Sequence, residues 1–248
     1  MNPVLQLKEV TGGYSLKKPV LHGLSINVNP GEMVGLIGLN GAGKSTTIKH
    51  VLGLLKQHKG EILINGHTLE SKPMDYRASY AYVPENPLMY DELTVQEHLE
   101  LTAMAYDIDK KTYTNRVEYL VDEFQMRDKL TKFSAHLSKG MRQKMMIMSA
   151  FLVQPSLYII DEPFLGLDPL GIRSLLDLMV KMKEAGASIL MSSHILSTIE
   201  QYCDKLVVLH EGHVIASGEL NDIQLASGLD NPSLEDAFYA LVKDGFKR

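Results

Sequence analysis

Apolar residues in this chain gather in two ways: short unbroken runs, and stretches where they recur at three- and four-residue intervals. Runs of the first kind suit buried strands, and the second spacing lines one face of a helix. Met33-Val34-Gly35-Leu36-Ile37 is an unbroken run, and residues 46–52 behind it carry the helical spacing. Ahead of both, residues 5–10 and 24–28 read as strands with no helix between them, which predicts a small antiparallel sheet beside the main layer. Glu61-Ile62-Leu63-Ile64 forms a further strand, closed by a tight Asn65-Gly66 turn.

Between residues 87 and 150 the pattern becomes helical throughout. Thr94 and Glu97 stand three apart and make a capping box, in which each side chain satisfies a backbone N–H of the other's residue. Val95, Leu99 and Ala103 give that helix one apolar face, and a second helix runs through Val117, Leu120, Val121 and Phe124. Leu157-Tyr158-Ile159-Ile160-Asp161 then restarts the strands. Asp168-Pro169 opens another helix as N-cap and first-turn proline, with Ile172, Leu175, Leu176, Met179 and Met182 as its buried stripe and Gly186 as its stop. Residues 188–191 are a strand, a short helix follows, and residues 206–209 turn back through Glu211-Gly212 into residues 213–216. Strands alternating with helices predict an α/β fold with a largely parallel sheet. The whole chain, 1–248, reads as one domain. Its core spans about 1–86 and 151–220, a helical subdomain is inserted at about 87–150, and a helical tail occupies about 221–248.

Hydrophobic residues at 45% and charged residues at 22% describe an ordinary soluble globular protein. A formal net charge of −5 speaks against a nucleic-acid-wrapping protein, which usually carries a basic face. Cys203 is the single cysteine, so no intramolecular disulfide can form; a small apolar filler near a helix end is its expected role. The first eight residues lack a signal-peptide layout, and the apolar stretch 145–153 is about half a membrane span. The chain is therefore expected to serve any membrane process from the side, as a peripheral subunit.

Candidate chemistry begins at residues 38–46, Gly-Leu-Asn-Gly-Ala-Gly-Lys-Ser-Thr, a complete G-x-x-x-x-G-K-[ST] loop set between a strand and a helix. Gly38, Gly41 and Gly43 let backbone N–H groups turn toward an anion, and the helix N-terminus adds its positive dipole end. Asn40, Ala42 and Thr46 complete the nucleotide-binding stretch. Lys44 is placed for the β- and γ-phosphates and Ser45 for Mg²⁺. Asp161 ends a buried strand on a carboxylate, the position from which a metal is held through water, and Glu162 follows as a general base over the γ-phosphate. ATP and Mg²⁺ are the expected ligands. Met145, Met146 and Met148 are at helical spacing and read as core, not soft-metal ligands. His210, His213 and Cys203 lack the further ligands that a zinc site needs.

Leu137-Ser138-Lys139-Gly140-Met141-Arg142-Gln143-Lys144 leads into a helix and resembles the signature motif, L-S-G-G-Q, of the ATP-binding-cassette family. Lys139 and Met141 depart from that pattern, while Ser138 keeps a hydroxyl and Gly140 permits close backbone approach at a helix N-terminus. The order of segments, phosphate loop first, then signature, then Asp161-Glu162, is similar to that of this family along most of the chain. The resemblance implies a P-loop ATPase core with a small antiparallel β subdomain and an inserted helical subdomain. It implies further that Tyr14 stacks on adenine, that His194 is a switch residue at the γ-phosphate, and that Asp168 lies in the loop crossing a dimer seam. Glu85 stands where the family has a glutamine; it can accept hydrogen bonds and bind Mg²⁺ but cannot donate while ionised. Two copies are implied to close head to tail, each ATP lying between Lys44 of one and the segment Ser138, Lys139, Gly140, Met141 of the other.

Glu85, the Ser-Lys-Gly-Met signature and the tail Ser233-Leu234-Glu235-Asp236-Ala237-Phe238 resemble ATPase subunits of bacterial ABC-2-type exporters. Residues 35–40, 99–106 and 161–168 are similar to those of Ecs transporters, which implies a separate multi-spanning, EcsB-like membrane subunit docked against the helical insert at the cytoplasmic face. An importer ATPase is the nearest rival reading, and a cassette ATPase acting on a non-membrane partner is another. A guanine reader of the N-K-x-D type is absent from the sequence, which disfavours a GTPase.

Overall fold

The computed structural model describes residues 2–245. In chain order the first elements are β1 (Leu5–Gly12), β2 (Leu21–Val28), β3 (Met33–Gly38), α1 (Lys44–Val51), β4 (Lys59–Ile64), α2 (Pro73–Ala78) and β5 (Tyr80–Val83). The helical insert then supplies α3 (Val95–Ala105), α4 (Lys110–Glu123) and α5 (Lys139–Val153). Strands resume with β6 (Leu157–Asp161), α6 (Pro169–Glu184), β7 (Ser188–Ser192), α7 (Leu196–Tyr202), β8 (Lys205–His210) and β9 (His213–Gly218), and α8 (Leu220–Ala226) and α9 (Leu234–Gly245) close the chain.

Strands β2-β1-β4 form an antiparallel sheet of three, and β5-β6-β7-β3-β8-β9 form a sheet of six that is parallel except for its last pair. β6 and β7 are buried along their whole length, β3 for all but its last residue. Both faces of the parallel sheet are covered, which is why these strands read as continuous apolar runs instead of alternating ones. β1 and β2, with one face packed and one exposed, show the alternation that goes with a half-buried sheet. Asn65 and Gly66 both take positive φ, 50° and 76°, as a two-residue hairpin turn requires, and Ile64 and His67 exchange both backbone hydrogen bonds across it.

One core lies between the two sheets, built from residues such as Leu5, Leu24, Val34, Ile48 and Leu190. A larger one covers the opposite face of the parallel sheet and runs into the helical insert through Leu99, Leu120, Met145, Met148 and Phe151. The predicted capping box is present: Thr94 Oγ1 accepts from Glu97 N, and the Glu97 carboxylate accepts from Thr94 N. Asp168 caps α6 as expected, and Gly186 follows its end with φ of 96°. Ile172 is only half-buried, whereas Leu178, outside the predicted stripe, is buried. Among the described residues no helix is long and apolar enough to cross a membrane.

Candidate nucleotide-binding site

The sheet delivers the site's parts to one edge. β3, β6 and β7 run parallel, so the residues just past their C-terminal ends, in the crevice where such sheets bind ligands, come together. β3 leads into the phosphate loop, β6 ends on Asp161-Glu162, and β7 ends on Ser192 just before His194. With Tyr14 and Glu85 these segments line a cleft of about 680 Å³, whose walls include Asn40, Gly41, Gly43, Lys44, Ser45, Thr46, Glu162 and His194. Ten of the sequence-derived candidates, drawn from five separate stretches of chain, thus converge, with Val20 and Leu165 as additional walls.

Two glycines are demanded by geometry. A Cβ on Gly38 would lie 2.6 Å from the Leu209 carbonyl oxygen, and Gly43 adopts φ of 112°, a left-handed conformation, where it caps α1. Lys44 Nζ donates to the carbonyls of Gly38 (2.8 Å) and Leu39 (3.4 Å), so the loop folds around its own lysine. The side chain is buried, and its ammonium is held by the loop that would cradle phosphate. Thr47 Oγ1 donates to Gly43 O at 2.9 Å and fixes the first turn of α1.

Asp161 is buried at the end of β6 and accepts from the hydroxyls of Ser192 and Ser45. Burial raises its carboxyl above the usual range and the neighbouring Glu162 charge adds to this; the two hydroxyls and the Lys44 ammonium work the other way without cancelling it. A dication at this position would reverse the balance and keep Asp161 ionised. Ser45, Asp161 and Glu85 offer only oxygen atoms, the donor type Mg²⁺ takes. Among the described residues no group of three or more His, Cys, Asp or Glu could hold a metal by itself. Mg²⁺ at such a position would be bound through one or two carboxylates plus substrate phosphates.

Glu162 adopts φ of 46°, unusual for a non-glycine residue. Its N–H donates to Ser192 O (3.1 Å) and Ser192 Oγ (3.2 Å), which pin the backbone in that conformation. Its Oε2 accepts from His194 N at 3.2 Å and from His194 Nδ1 at 2.6 Å. The carboxylate is largely buried and the histidine ring largely exposed, so His194 covers Glu162 from the cleft side. Because a carboxylate only accepts, Nδ1 carries the proton in this contact.

Tyr14 is 63% exposed, and its hydroxyl accepts from Lys49 Nζ at 3.1 Å; the same ammonium lies 5.3 Å from the ring centre. The Lys49 hydrogen bond is the main cause holding the phenol below its usual range. Ser192 and Lys49 were missed in the sequence reading. A serine ending a buried apolar strand was a usable signal for Ser192, since a buried hydroxyl needs a partner; Lys49 had none.

The signature segment lies apart. Ser138 caps α5, accepting from Met141 N at 3.3 Å, and neither it nor Lys139, Gly140 or Met141 lines the cleft. Instead it packs on the chain after Glu162: a Cβ on Gly140 would sit 2.4 Å from Gly166 O, and Lys144 Nζ reaches Asp168 Oδ2 at 2.9 Å. Asp168 also accepts from Gly171 N at 2.6 Å, and this bond, with Lys144 second, holds its carboxyl below the ordinary range. Met145 and Met148 are buried and Met146 half-buried in the core. Cys203 ends α7, and burial pushes its thiol up to about 12, which keeps it inert. His213 stacks on His22 at 4.8 Å.

Residues 21–165 match the family described as ABC transporter. The chain is 52% identical to the ABC-type transporter ATP-binding protein EcsA of Bacillus subtilis (strain 168), with 97% of each chain covered. It is 40% identical to YthP, an uncharacterised ABC transporter ATP-binding protein of the same organism, over 98% of each. A solved ATP-binding subunit of an ABC transporter superposes with a TM-score of 0.93 at 52% identity, covering 96% of this chain and 99% of that one. The phosphate loop, the Asp161-Glu162 strand end, the separate signature surface and these likenesses agree: the chain belongs to the ABC transporter family, as an ATP-binding subunit and transport-coupled ATPase.

Proposed function

We propose that this chain powers an exporter by closing head to tail with a second copy around ATP, while docked at the cytoplasmic face of the membrane on a separate multi-spanning, EcsB-like subunit. One observation carries the reading. The cleft gathers Lys44, Ser45, Glu85, Glu162 and His194, yet the signature residues of the same chain lie outside it, so only another copy can bring Ser138 to this nucleotide. The 52% identity to EcsA and the exporter-like Glu85, signature and tail support the choice of transporter class and membrane partner.

In this reading Tyr14 stacks on adenine, and the loop N–H groups and Lys44 hold the β- and γ-phosphates. Ser45, Asp161 and Glu85 would hold Mg²⁺, which would supply positive charge against the phosphate oxygens. Glu162 takes a proton from the attacking water, its backbone locked by Ser192 and its carboxylate oriented by His194. Such a base contributes roughly 10²–10⁴ in rate. The γ-phosphate supplies negative charge that both surfaces need, so the closed pair binds ATP better than the open one and its loss favours opening. Asp168, bridging to α5 through Lys144, links the base's segment to the signature helix.

Glu162→Gln keeps the shape and removes the base. In gel filtration with ATP and Mg²⁺, the expected result is an ATP-dependent dimer with turnover reduced by roughly 10²–10⁴. A variant that stays monomeric under those conditions overturns the closure mechanism. Co-purification in detergent with a co-expressed EcsB-like membrane protein, with a changed ATPase rate, tests the docking.

A further inference from the structure

Gln143 sits on α5, two residues past Met141, and is fully buried. Its side-chain amide points at two carbonyls from distant parts of the chain: Nε2 donates to Pro84 O at 3.4 Å and to Pro163 O at 3.3 Å. Both partners are carbonyl oxygens, so only the NH₂ end can face them, and the amide's orientation follows. Its Oε1 is buried without a hydrogen-bond partner among the described residues. An apolar residue of the same shape would remove that orphan oxygen but would also leave the two carbonyls without their donor.

What the amide holds is informative. Pro84 O belongs to the peptide that leads into Glu85, and Pro163 follows Glu162 directly. Glu162 has φ of 46°, and the proline after it further restricts its backbone. A strained residue persists only where its surroundings over-determine it. Ser192 clamps Glu162 from the N–H side; Gln143 clamps the chain on the other side, one residue on. Both bonds are longer than the usual 2.9–3.0 Å or so.

We infer that Gln143 is a positioning residue for hydrolysis: through one amide it ties the signature helix to the loops bearing Glu85 and Glu162, so that engagement of Ser138 by the partner's ATP sets the base of its own site. This rests on Glu162 acting as the base. Gln143 touches neither nucleotide nor water, and acts through the two loops.

The test is Gln143→Met, which fills the same space and donates nothing. Steady-state ATPase assays on the full chain with its membrane subunit should show kcat lower by on the order of 10²-fold, the scale of a small misplacement at the reacting centre, with KM for ATP unchanged. The thermal midpoint should fall modestly, because the Pro84 and Pro163 carbonyls lose their donor while the orphan oxygen's removal offsets only part of that loss. In the Glu162→Gln background the same substitution should cost nothing further, since it acts through that residue. A kcat within about twofold of the parent overturns the inference, as do losses that multiply in the double variant, the mark of an independent structural role. If Glu162→Gln itself turns over normally, the reading of Glu162 falls and the inference with it; if Glu162→Gln stalls and Gln143→Met does not, only the inference falls.

Discussion

The cleft around Lys44 and the surface around Ser138 are both built at helix N-termini, yet only the first gathers several functional side chains within one chain. At the cleft, Lys44 is held by its own loop, Asp161 by two hydroxyls and Glu162 by Ser192 and His194. These three groups already have partners within the chain. At the signature, Ser138 makes one cap contact and Lys139 is exposed, and the segment's packing is with Gly166 and, through Lys144, Asp168 on its own chain. The first is preorganised for a ligand; the second is a rigid mount presented to something outside. Under the proposed head-to-tail closure, that asymmetry would let ATP join two copies: one half-site holds the nucleotide, and the other adds its share only on contact.

The contrast sharpens into measurable differences. Lys44→Ala strikes the preorganised side and should lower ATP turnover by about 10³-fold, the scale seen when a donor to developing charge is removed. Near-normal hydrolysis by purified variant would erase the distinction. Ser138→Ala strikes the presented side, so ATP binding by the isolated chain should be unchanged while the ATP-dependent dimer weakens by about 10- to 100-fold, the equivalent of one charge-assisted hydrogen bond. Equilibrium nucleotide titration beside sedimentation separates the two. The lost cap should also cost about 1 kcal/mol of stability, read as a lower urea midpoint. If ATP binding falls as far as dimerisation, the two surfaces are not separable in this way.

The smallest effect belongs to the seam between them. The Asp168 carboxyl is held below its ordinary range by Gly171 N–H and Lys144, so its contribution is present above the unfolded-state pKa and is lost as pH falls through the lower folded value. Its side chain is half exposed, which screens the pair. Asp168→Asn retains an oxygen for the cap and removes the charge. It should cost less than about 1 kcal/mol at neutral pH, and the difference should vanish in acid below the folded pKa. A thermal midpoint gap that stays constant into strong acid would show that Lys144 and the dipole play no part.

Much of this molecule was legible in the residue order because its signals are local. A capping box needs only Thr94 and Glu97, and a phosphate loop only its own nine residues between a strand and a helix. The strand ending on Asp161-Glu162 declares itself through apolar continuity, as buried parallel strands do. Tyr14 and His194 came from resemblance, and both line the cleft. What stayed hidden were the residues that hold those in place. Ser192 meets Glu162 from 30 residues away, Lys49 meets Tyr14 from 35, and Gln143 meets Pro84 from 59. No periodicity records such pairings.

Residue order alone revealed most of the elements, the phosphate loop and the strand that ends on Asp161-Glu162, since each depends on neighbours within one turn or one strand. The tertiary structure decided which strand ends share an edge, that His194 covers Glu162, and that the signature turns away from the cleft of its own chain. Those outcomes follow from parallel strand pairing and core packing, which join segments far apart in the chain and leave no trace in the spacing of either one.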